Sequence, residues 1–283
     1  MEESNGMSFW DHLEDLRWTI IRSIIALVVF AIVGFALMPY IYDSIIMGPT
    51  RADFFLYKYL CAATSAVPFL PDFCDDTFHV DIININLASQ FFRHMTTSFW
   101  LALILTFPYL VFEVWRFVSP ALYENEKRSF RWAFMFGTVM FFLGCLVGYC
   151  LVFPMTFRFL ATYQLSEVII NQISLDSYMD NFLMLIFIMG IVFELPLLSW
   201  LLSKLGLLNR SFFKKFRRHA IVGLLALSAI ITPSGDPFTL SVVFLPLYML
   251  FELSRFMVKA APTGEEEEEE AEAEAEAETE EEI

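Results

Sequence analysis

The chain has 283 residues, of which 57% are hydrophobic and 17% aromatic, and its mean hydropathy is +0.58. One water-soluble domain of this length could not bury so much apolar surface, so the composition excludes that class of protein. The formal net charge of −15 reflects mainly one segment, because residues 265–282 hold 13 of the 33 acids and no base.

Residues 1–18 are predicted to form a cytosolic amphipathic helix ahead of the first apolar segment. Apolar side chains recur there at helical spacing: Phe9, Leu13, Leu16 and Ile20. The carboxylates of Asp11, Glu14 and Asp15 then face water. They form either a solvated surface, in which Glu14 pairs with Arg17, or a binding site for a cationic ligand.

Six apolar segments predict an all-α membrane protein with six transmembrane helices. They lie at about residues 19–39, 95–115, 132–153, 182–202, 219–232 and 238–254. The first four are long enough to cross a hydrocarbon core of ~30 Å at 1.5 Å per residue. The last two are short, so they either cross a locally thinned bilayer or form a re-entrant hairpin.

The distribution of Lys and Arg predicts that both termini are cytosolic. This orientation places fourteen bases inside and only four outside: Arg51, Lys58, Arg93 and Arg158. Residues 258–283 are then a cytosolic acidic tail. Its alternation of Glu and Ala offers nothing to bury and predicts disorder.

The outer loop, at about residues 40–94, carries Cys61 and Cys74 on the oxidising side of the membrane. A disulfide between them would contribute ~3 kcal/mol. Two free thiols are the equal alternative, because spacing alone does not fix the geometry that a disulfide needs.

A second cytosolic acid, Glu126, follows the second apolar segment in a predicted loop beside Lys127 and Arg128. It forms either an ordinary surface ion pair or part of a recognition site. In the second case, Glu126 and the N-terminal acids would each bind one guanidinium group of adjacent arginines through forked hydrogen bonds. Lysine would bind there poorly, because its ammonium is a point charge.

Glu194 differs from these acids because it lies near the predicted middle of the fourth span, in Phe193-Glu-Leu-Pro196. A carboxyl group at that depth costs ~2.5 kcal/mol or more, so it should face protein or water. An ionisable residue in this position favours a functional role. Glu113 and Glu252 lie near inner span ends, where we expect them to reach the interface, and they are weaker candidates.

The sequence contains no Walker A loop, no His-Glu-x-x-His, no Gly-x-Ser-x-Gly and no His/Cys cluster with metal-ligand spacing. These absences predict a protein that is not an enzyme and that binds no cofactor, metal or nucleic acid.

Several separated motifs together resemble the TatC family, the multi-spanning receptors of the twin-arginine protein translocase. The resemblance covers about residues 8–258 and is carried by five elements: His12-Leu-Glu-Asp-Leu-Arg17, Gly48-Pro49, Ser119-Pro-Ala-Leu-Tyr-Glu-Asn-Glu126-Lys-Arg128, Phe193-Glu-Leu-Pro196 and Thr232-Pro-Ser-Gly-Asp236-Pro-Phe. The resemblance implies a glove-like, concave helical bundle in the bacterial inner membrane. It also implies that the last two helices cross a thinned bilayer and that Pro49 and Asp236 belong to outer turns.

The resemblance also implies a function, which is capture of Arg-Arg signal peptides of folded cargo, followed by export driven by the proton-motive force. The signal contacts would be Glu126 and Asp15, which is one methylene shorter than the family's Glu, with Glu14 as the neighbouring alternative. Leu13 and Arg17 belong to the same element. Glu194 would contact the signal hairpin or small single-span subunits of the TatA/TatB type, in a multimeric complex surrounded by membrane lipids. The alternative function is a proton-coupled secondary transporter of a small solute that uses Glu194.

Overall fold

The computed structural model describes residues 9–64, 74, 78–119, 124–166, 168, 171–204, 208, 210–232 and 235–258. The first eight residues of the predicted N-terminal helix and residues 259–283 of the predicted tail lie outside this part. Nine α-helices form the described structure: α1 (Phe9–Ile41), α2 (Phe55–Thr64), α3 (Ser89–Val118), α4 (Glu124–Val147), α5 (Phe153–Thr162), α6 (Leu175–Val192), α7 (Leu195–Lys204), α8 (Arg210–Ile231) and α9 (Pro237–Met257).

Five stretches are long and apolar enough to cross a membrane, which confirms an all-α membrane protein. They are Leu13–Thr50, Ser89–Phe117, Arg131–Thr162, Leu175–Lys204 and Pro237–Met257. The segment predicted at 219–232 is helical within α8, but that helix begins with a run of charged residues and is not among the five. The six crossings and the cytosolic position of both termini stay predictions.

The observed helices extend well beyond the apolar segments. Helix α1 continues from Phe9 to Ile41 without interruption, so it includes both residues 9–18 of the predicted N-terminal helix and the first predicted span. Helix α3 begins six residues before the predicted 95, and α4 continues through a π-helical turn (Gly148–Val152) into α5. The predicted spans stopped short of charged residues that the structure includes within helices, among them Arg93 and Arg158.

The fourth predicted span, 182–202, is two helices rather than one. Helix α6 starts at Leu175, where the Ser174 side chain caps the helix by accepting a hydrogen bond from the Ser177 amide at 3.2 Å. It ends at Val192, and two residues separate it from the start of α7. Pro196, near the start of α7, has no backbone N–H and cannot continue the hydrogen-bond ladder of α6.

The helices pack as a series in which α1 contacts α3, and α3 contacts α4 and α6. Helix α9 contacts both α7 and α8. Helices α4 and α6 approach each other closely at two glycines. A Cβ atom on Gly144 would lie 2.5 Å from the Met189 carbonyl oxygen, and one on Gly148 would lie 3.0 Å from the Ile186 Cα. These two glycines form a Gly-x-x-x-Gly pair that lets the backbones approach, as in many membrane helix pairs.

Two very short strands depart from the all-α prediction. Ile82–Ile83 (β1) and Ile173–Ser174 (β2) pair in parallel, with Ile82 opposite Ile173. They attach the outer loop to the start of α6, at the end of the molecule opposite the α3–α4 connection.

Candidate functional site

The first turns of α1 carry the three acids that were predicted to face water, of which the Asp11 side chain lies outside the described part of the structure. Leu13, Glu14, Asp15 and Arg17 are all exposed. Within the described part of the chain, neither Glu14 nor Asp15 forms an ion pair, although the negative charge of Asp15 acts on Arg22 two turns further along α1. The Glu14–Arg17 pair of the solvated-surface alternative is therefore not formed.

Glu126 lies on the third residue of α4, so the prediction of a loop there is wrong. The physical reason is the acidic start of this helix: Glu124 and Glu126 lie in its first turn, where the helix dipole favours negative charge. The side chain of Glu126 lies outside the described part of the structure. Its contribution with Asp15 to one recognition site therefore stays a prediction.

A buried ion pair joins α1 to α3 close to these acids. Arg22 donates from Nε and Nη2 to Oε2 of Glu113 at 3.0 and 2.8 Å, and Glu113 is only 2% exposed. Glu113 also accepts a hydrogen bond of 2.8 Å from the Tyr109 hydroxyl, and Arg22 donates to Thr19 at 3.3 Å. The carboxylate is thus fully paired, which fixes α1 against α3 two turns after Asp15.

Sequence reasoning missed this pair because it treated Glu113 as an acid that reaches the interface. The positions of the two residues in the predicted spans did indicate such a pair. Arg22 is the fourth residue of segment 19–39 and Glu113 the third from the end of segment 95–115, so opposite charges lie at matching depth near the same face. Charged side chains within spans usually pair with one another.

Glu194 lies at the break between α6 and α7 rather than inside a continuous helix. Its amide donates to the Ile191 carbonyl at 3.0 Å, and its carbonyl accepts from the Leu198 amide at 2.9 Å. The carboxyl atom Oε1 is shielded from solvent and has no hydrogen-bond partner in the part of the chain that the structure describes. A buried polar atom without a partner costs roughly 1–3 kcal/mol, which favours a partner supplied by another molecule.

Gly137 of α4 faces this carboxyl group. A Cβ atom at Gly137 would lie 2.9 Å from Oε2 of Glu194 and 2.5 Å from Cδ2 of Leu197. A larger residue at this position would require the side-chain ends of Glu194 and Leu197 to move. The glycine therefore makes room for Glu194 at the helix break, and the sequence analysis did not identify it.

A hydrogen bond and a disulfide link residues within the outer loop. Pro49 is buried in a 3-10 turn (Gly48–Thr50), and its carbonyl accepts a hydrogen bond of 2.7 Å from the buried Tyr57 hydroxyl. Cys61 and Cys74 are joined in a disulfide, so the two-thiol alternative is not the one that the structure adopts.

Two arginines that were predicted to lie on the outer side of the membrane make contacts between segments of the chain. Arg93 donates to Asp176 at 2.7 Å and also pairs with Asp180, which links α3 to α6. Arg158 is 1% exposed, and its guanidinium carbon lies 4.5 Å from the centre of the Phe78 ring. The positive-inside count gave no indication of either contact.

Asp236 caps the N-terminus of α9 in the last outer turn. Its side chain accepts a hydrogen bond of 2.8 Å from the Thr239 amide and a second from the Thr239 hydroxyl. Gly235, immediately before it, has a φ of 61°, a conformation that glycine adopts without strain. The Asp236 carboxylate therefore has a structural role in the turn.

Comparison with known proteins identifies the family. A family model described as Sec-independent protein translocase protein (TatC) matches residues 11–246. The Sec-independent protein translocase protein TatC of Blattabacterium is 34% identical over 90% of this chain and 96% of the relative, and that of Deinococcus radiodurans is 30% identical over 91% and 89%. A crystal structure of a twin-arginine translocase receptor, TatC, superposes with a TM-score of 0.66 at 28% identity, covering 87% of this chain and 97% of that one. The chain belongs to the TatC family of Sec-independent protein translocase proteins.

Proposed function

We propose that this protein is the signal receptor and assembly core of a twin-arginine translocase in a bacterial inner membrane. The observation that carries the proposal is the exposed acidic turn of α1, where Glu14 and Asp15 form no ion pair in the described chain although Arg17 follows closely. Two exposed acids beside a membrane span that form no ion pair are suited to a cationic ligand.

The chemistry of these groups favours arginine over lysine. Asp15, or Glu14 beside it, would accept two hydrogen bonds from one guanidinium group, and Glu126 would accept them from the next. Charge-assisted, forked hydrogen bonds are roughly twice as strong as neutral ones and require a planar donor. A signal peptide with two adjacent arginines supplies two such donors.

The Arg22–Glu113 pair supports this role by holding the acidic turn in place. A site that binds two groups at once needs its contact residues on rigid elements, because each loose side chain must be ordered when the ligand binds. Helix α1 is continuous from Phe9 through Arg22, so its attachment to α3 limits the motion of the first turns.

Glu194 would serve a second contact, within the membrane. Its Oε1 atom has no hydrogen-bond partner in the described chain. It could accept a hydrogen bond, worth ~1 kcal/mol, from a polar residue in the signal hairpin or in a single-span subunit of the TatA/TatB type. Folded cargo would then cross through the assembled complex, driven by the proton-motive force and without an enzymatic reaction in this chain.

Photo-cross-linking of an Arg-Arg signal peptide to the protein in nanodiscs tests the proposal. We expect Asp15→Asn and Glu126→Gln each to reduce peptide affinity by about 10- to 100-fold, the value of one lost charge-assisted contact. A Lys-Lys peptide should bind the wild type about as weakly as the variants bind Arg-Arg. Asp43→Asn, which removes an exposed acid at the other end of α1, is the matched control.

Equal capture of both peptides by the wild type would contradict the proposal. If Glu14→Gln reduces peptide affinity and Asp15→Asn does not, Glu14 makes the N-terminal contact and the proposed function is unchanged. If neither matters, the acidic turn is a solvated surface.

A further inference from the structure

Helix α8 starts with a dense run of positive charge that the proposed function does not use. We call residues 210–219 the basic segment; it holds five bases and no acid: Arg210, Lys214, Lys215, Arg217 and Arg218. Residues 214–219 are all exposed. Because α6 and α7 run antiparallel to α4, the basic segment lies at the same end of the molecule as the start of α4.

This charge is poorly placed for the helix itself. The N-terminus of an α-helix carries roughly half a positive charge from aligned peptide dipoles, so bases in its first turns are unfavourable. Arg217 is compensated, since it lies 2.8 Å from Glu252 and donates to the Tyr248 hydroxyl at 2.6 Å. This hydrogen bond and the nearby carboxylate hold the pKa of Arg217 above its usual value.

The other bases lack such compensation. Glu252 is already shared with Arg255 at 3.3 Å, and Lys214, Lys215 and Arg218 have no carboxylate partner in the described part of the chain. Counting Arg255, this corner holds six bases and one acid among the residues of α8 and the last turns of α9. A strongly anionic occupant would therefore be stabilised there.

The chain itself supplies a polyanion next to this surface. Helix α9 packs along α8, with the rings of Phe213 and Phe251 5.4 Å apart, and it ends beside the basic segment. The guanidinium carbon of Arg210 lies 5.7 Å from the centre of the Phe256 ring. Two residues later, Val258 is buried, and residues 259–264 then lead to the 13 acids of residues 265–282.

We propose that the acidic residues 265–282 bind to the basic segment of α8 in the same molecule. The six residues 259–264 span at most about 20 Å, which is enough to reach a segment only about 15 Å long. A short tether of this kind holds the two partners at an effective concentration of about millimolar. The association is electrostatic, neutralises the uncompensated end of α8 and weakens as salt screens the charges.

Phosphates of anionic phospholipids are the competing occupant, because basic residues next to a span attract such headgroups. The acidic tail is favoured because it is covalently attached beside the surface and carries many charges on one chain. Its binding would leave this face of α8 without excess positive charge toward the membrane surface.

Carbodiimide cross-linking of the full-length protein in phosphatidylcholine nanodiscs tests the proposal, because this reagent joins Lys amines only to carboxylates already in contact. We expect peptides linking Lys214 or Lys215 to residues 265–282 at low salt, falling by about fivefold or more in 1 M NaCl, where the Debye length is ~3 Å. Arg210→Gln combined with Arg218→Gln should lower the yield severalfold, although both reactive lysines and every tail carboxylate remain.

Arg17→Lys is the matched control, because it introduces an exposed amine on α1, which packs on α3 at the far edge of the helix series. Cross-links to that lysine equal to those at Lys214 and Lys215 would show an untargeted tail and overturn the proposal. Absence of cross-links at the basic segment would also overturn it. Loss of cross-links only in nanodiscs that contain phosphatidylglycerol would assign the surface to lipid headgroups instead.

Discussion

Arg22 of α1 and Glu113 of α3 form a forked ion pair, with distances of 3.0 and 2.8 Å to one carboxylate oxygen, at the end of the molecule where the acidic turn lies. Arg22 follows Asp15 by seven residues, which is close to two helical turns, so both lie on nearly the same face of α1. The pair thus fixes the rotation of α1 and the direction in which Asp15 points.

Breaking this pair should destabilise the protein and weaken signal capture together. Removing Arg22 leaves the carboxylate of Glu113, which is 2% exposed, without its counter-charge, so Arg22→Leu should lower the unfolding temperature. Thermal unfolding in detergent and peptide cross-linking at Asp15 measure the two effects.

The double variant Arg22→Leu/Glu113→Leu separates the pair from its surroundings. Replacing both partners by apolar residues removes the uncompensated charge, so stability should recover to within about 1 kcal/mol of the wild type. If the stability lost in the double variant equals the sum of the losses in the two single variants, the two residues act independently.

Much of the fold could be predicted from the apolar segments, because burial of twenty apolar residues is a strong, local signal. The helix ends could not, since they depend on contacts between distant segments. Arg93 extends α3 outward only because Asp176 and Asp180 come from α6 to pair with it. The break at Glu194 was hidden for a different reason, because Phe193-Glu-Leu-Pro196 is apolar enough to read as part of one span.

Gly137→Ala should leave the protein about 1 kcal/mol less stable than Gly223→Ala, the low end of the cost of overpacking. The added methyl group would lie within 3 Å of the side-chain ends of both Leu197 and Glu194, so these two side chains must turn away. Gly223→Ala is the matched control on an exposed helix position where a Cβ meets nothing within 4 Å. It should be neutral or stabilising by up to about 1 kcal/mol, because alanine favours helix. Equal unfolding temperatures for the two variants would mean that the approach at Gly137 is loose.

Reduction of the Cys61–Cys74 disulfide should lower stability without affecting signal capture. The two cysteines are 13 residues apart, and closing a loop of this size contributes about 3 kcal/mol. Cys61→Ser/Cys74→Ser should therefore unfold at a lower temperature, and reductant should shift the wild type but not the variant. A change in peptide cross-linking at Asp15 would contradict the separation of the outer loop from the signal site.

The candidate signal site was only partly predictable. The acids of α1 were identified because they interrupt an apolar pattern, and Glu194 because it lies among apolar neighbours. The Arg22–Glu113 pair and Gly137 were missed because their importance arises from distances between helices. A lone glycine or a span-end acid has several ordinary explanations until its neighbour is known.

Glu194→Leu should have opposite effects on the isolated protein and on its assembly. In the isolated chain it removes a buried oxygen that has no partner in the described structure, so we expect unfolding stability to rise by about 1 kcal/mol. In the complex it removes the acceptor that a polar residue of a single-span subunit would use, so co-purification of that subunit should fall. Glu194→Gln keeps a polar group of the same size and should retain most of the subunit. If Glu194→Leu lowers stability and leaves co-purification intact, Glu194 is an internal packing residue, and the intramembrane contact must lie elsewhere.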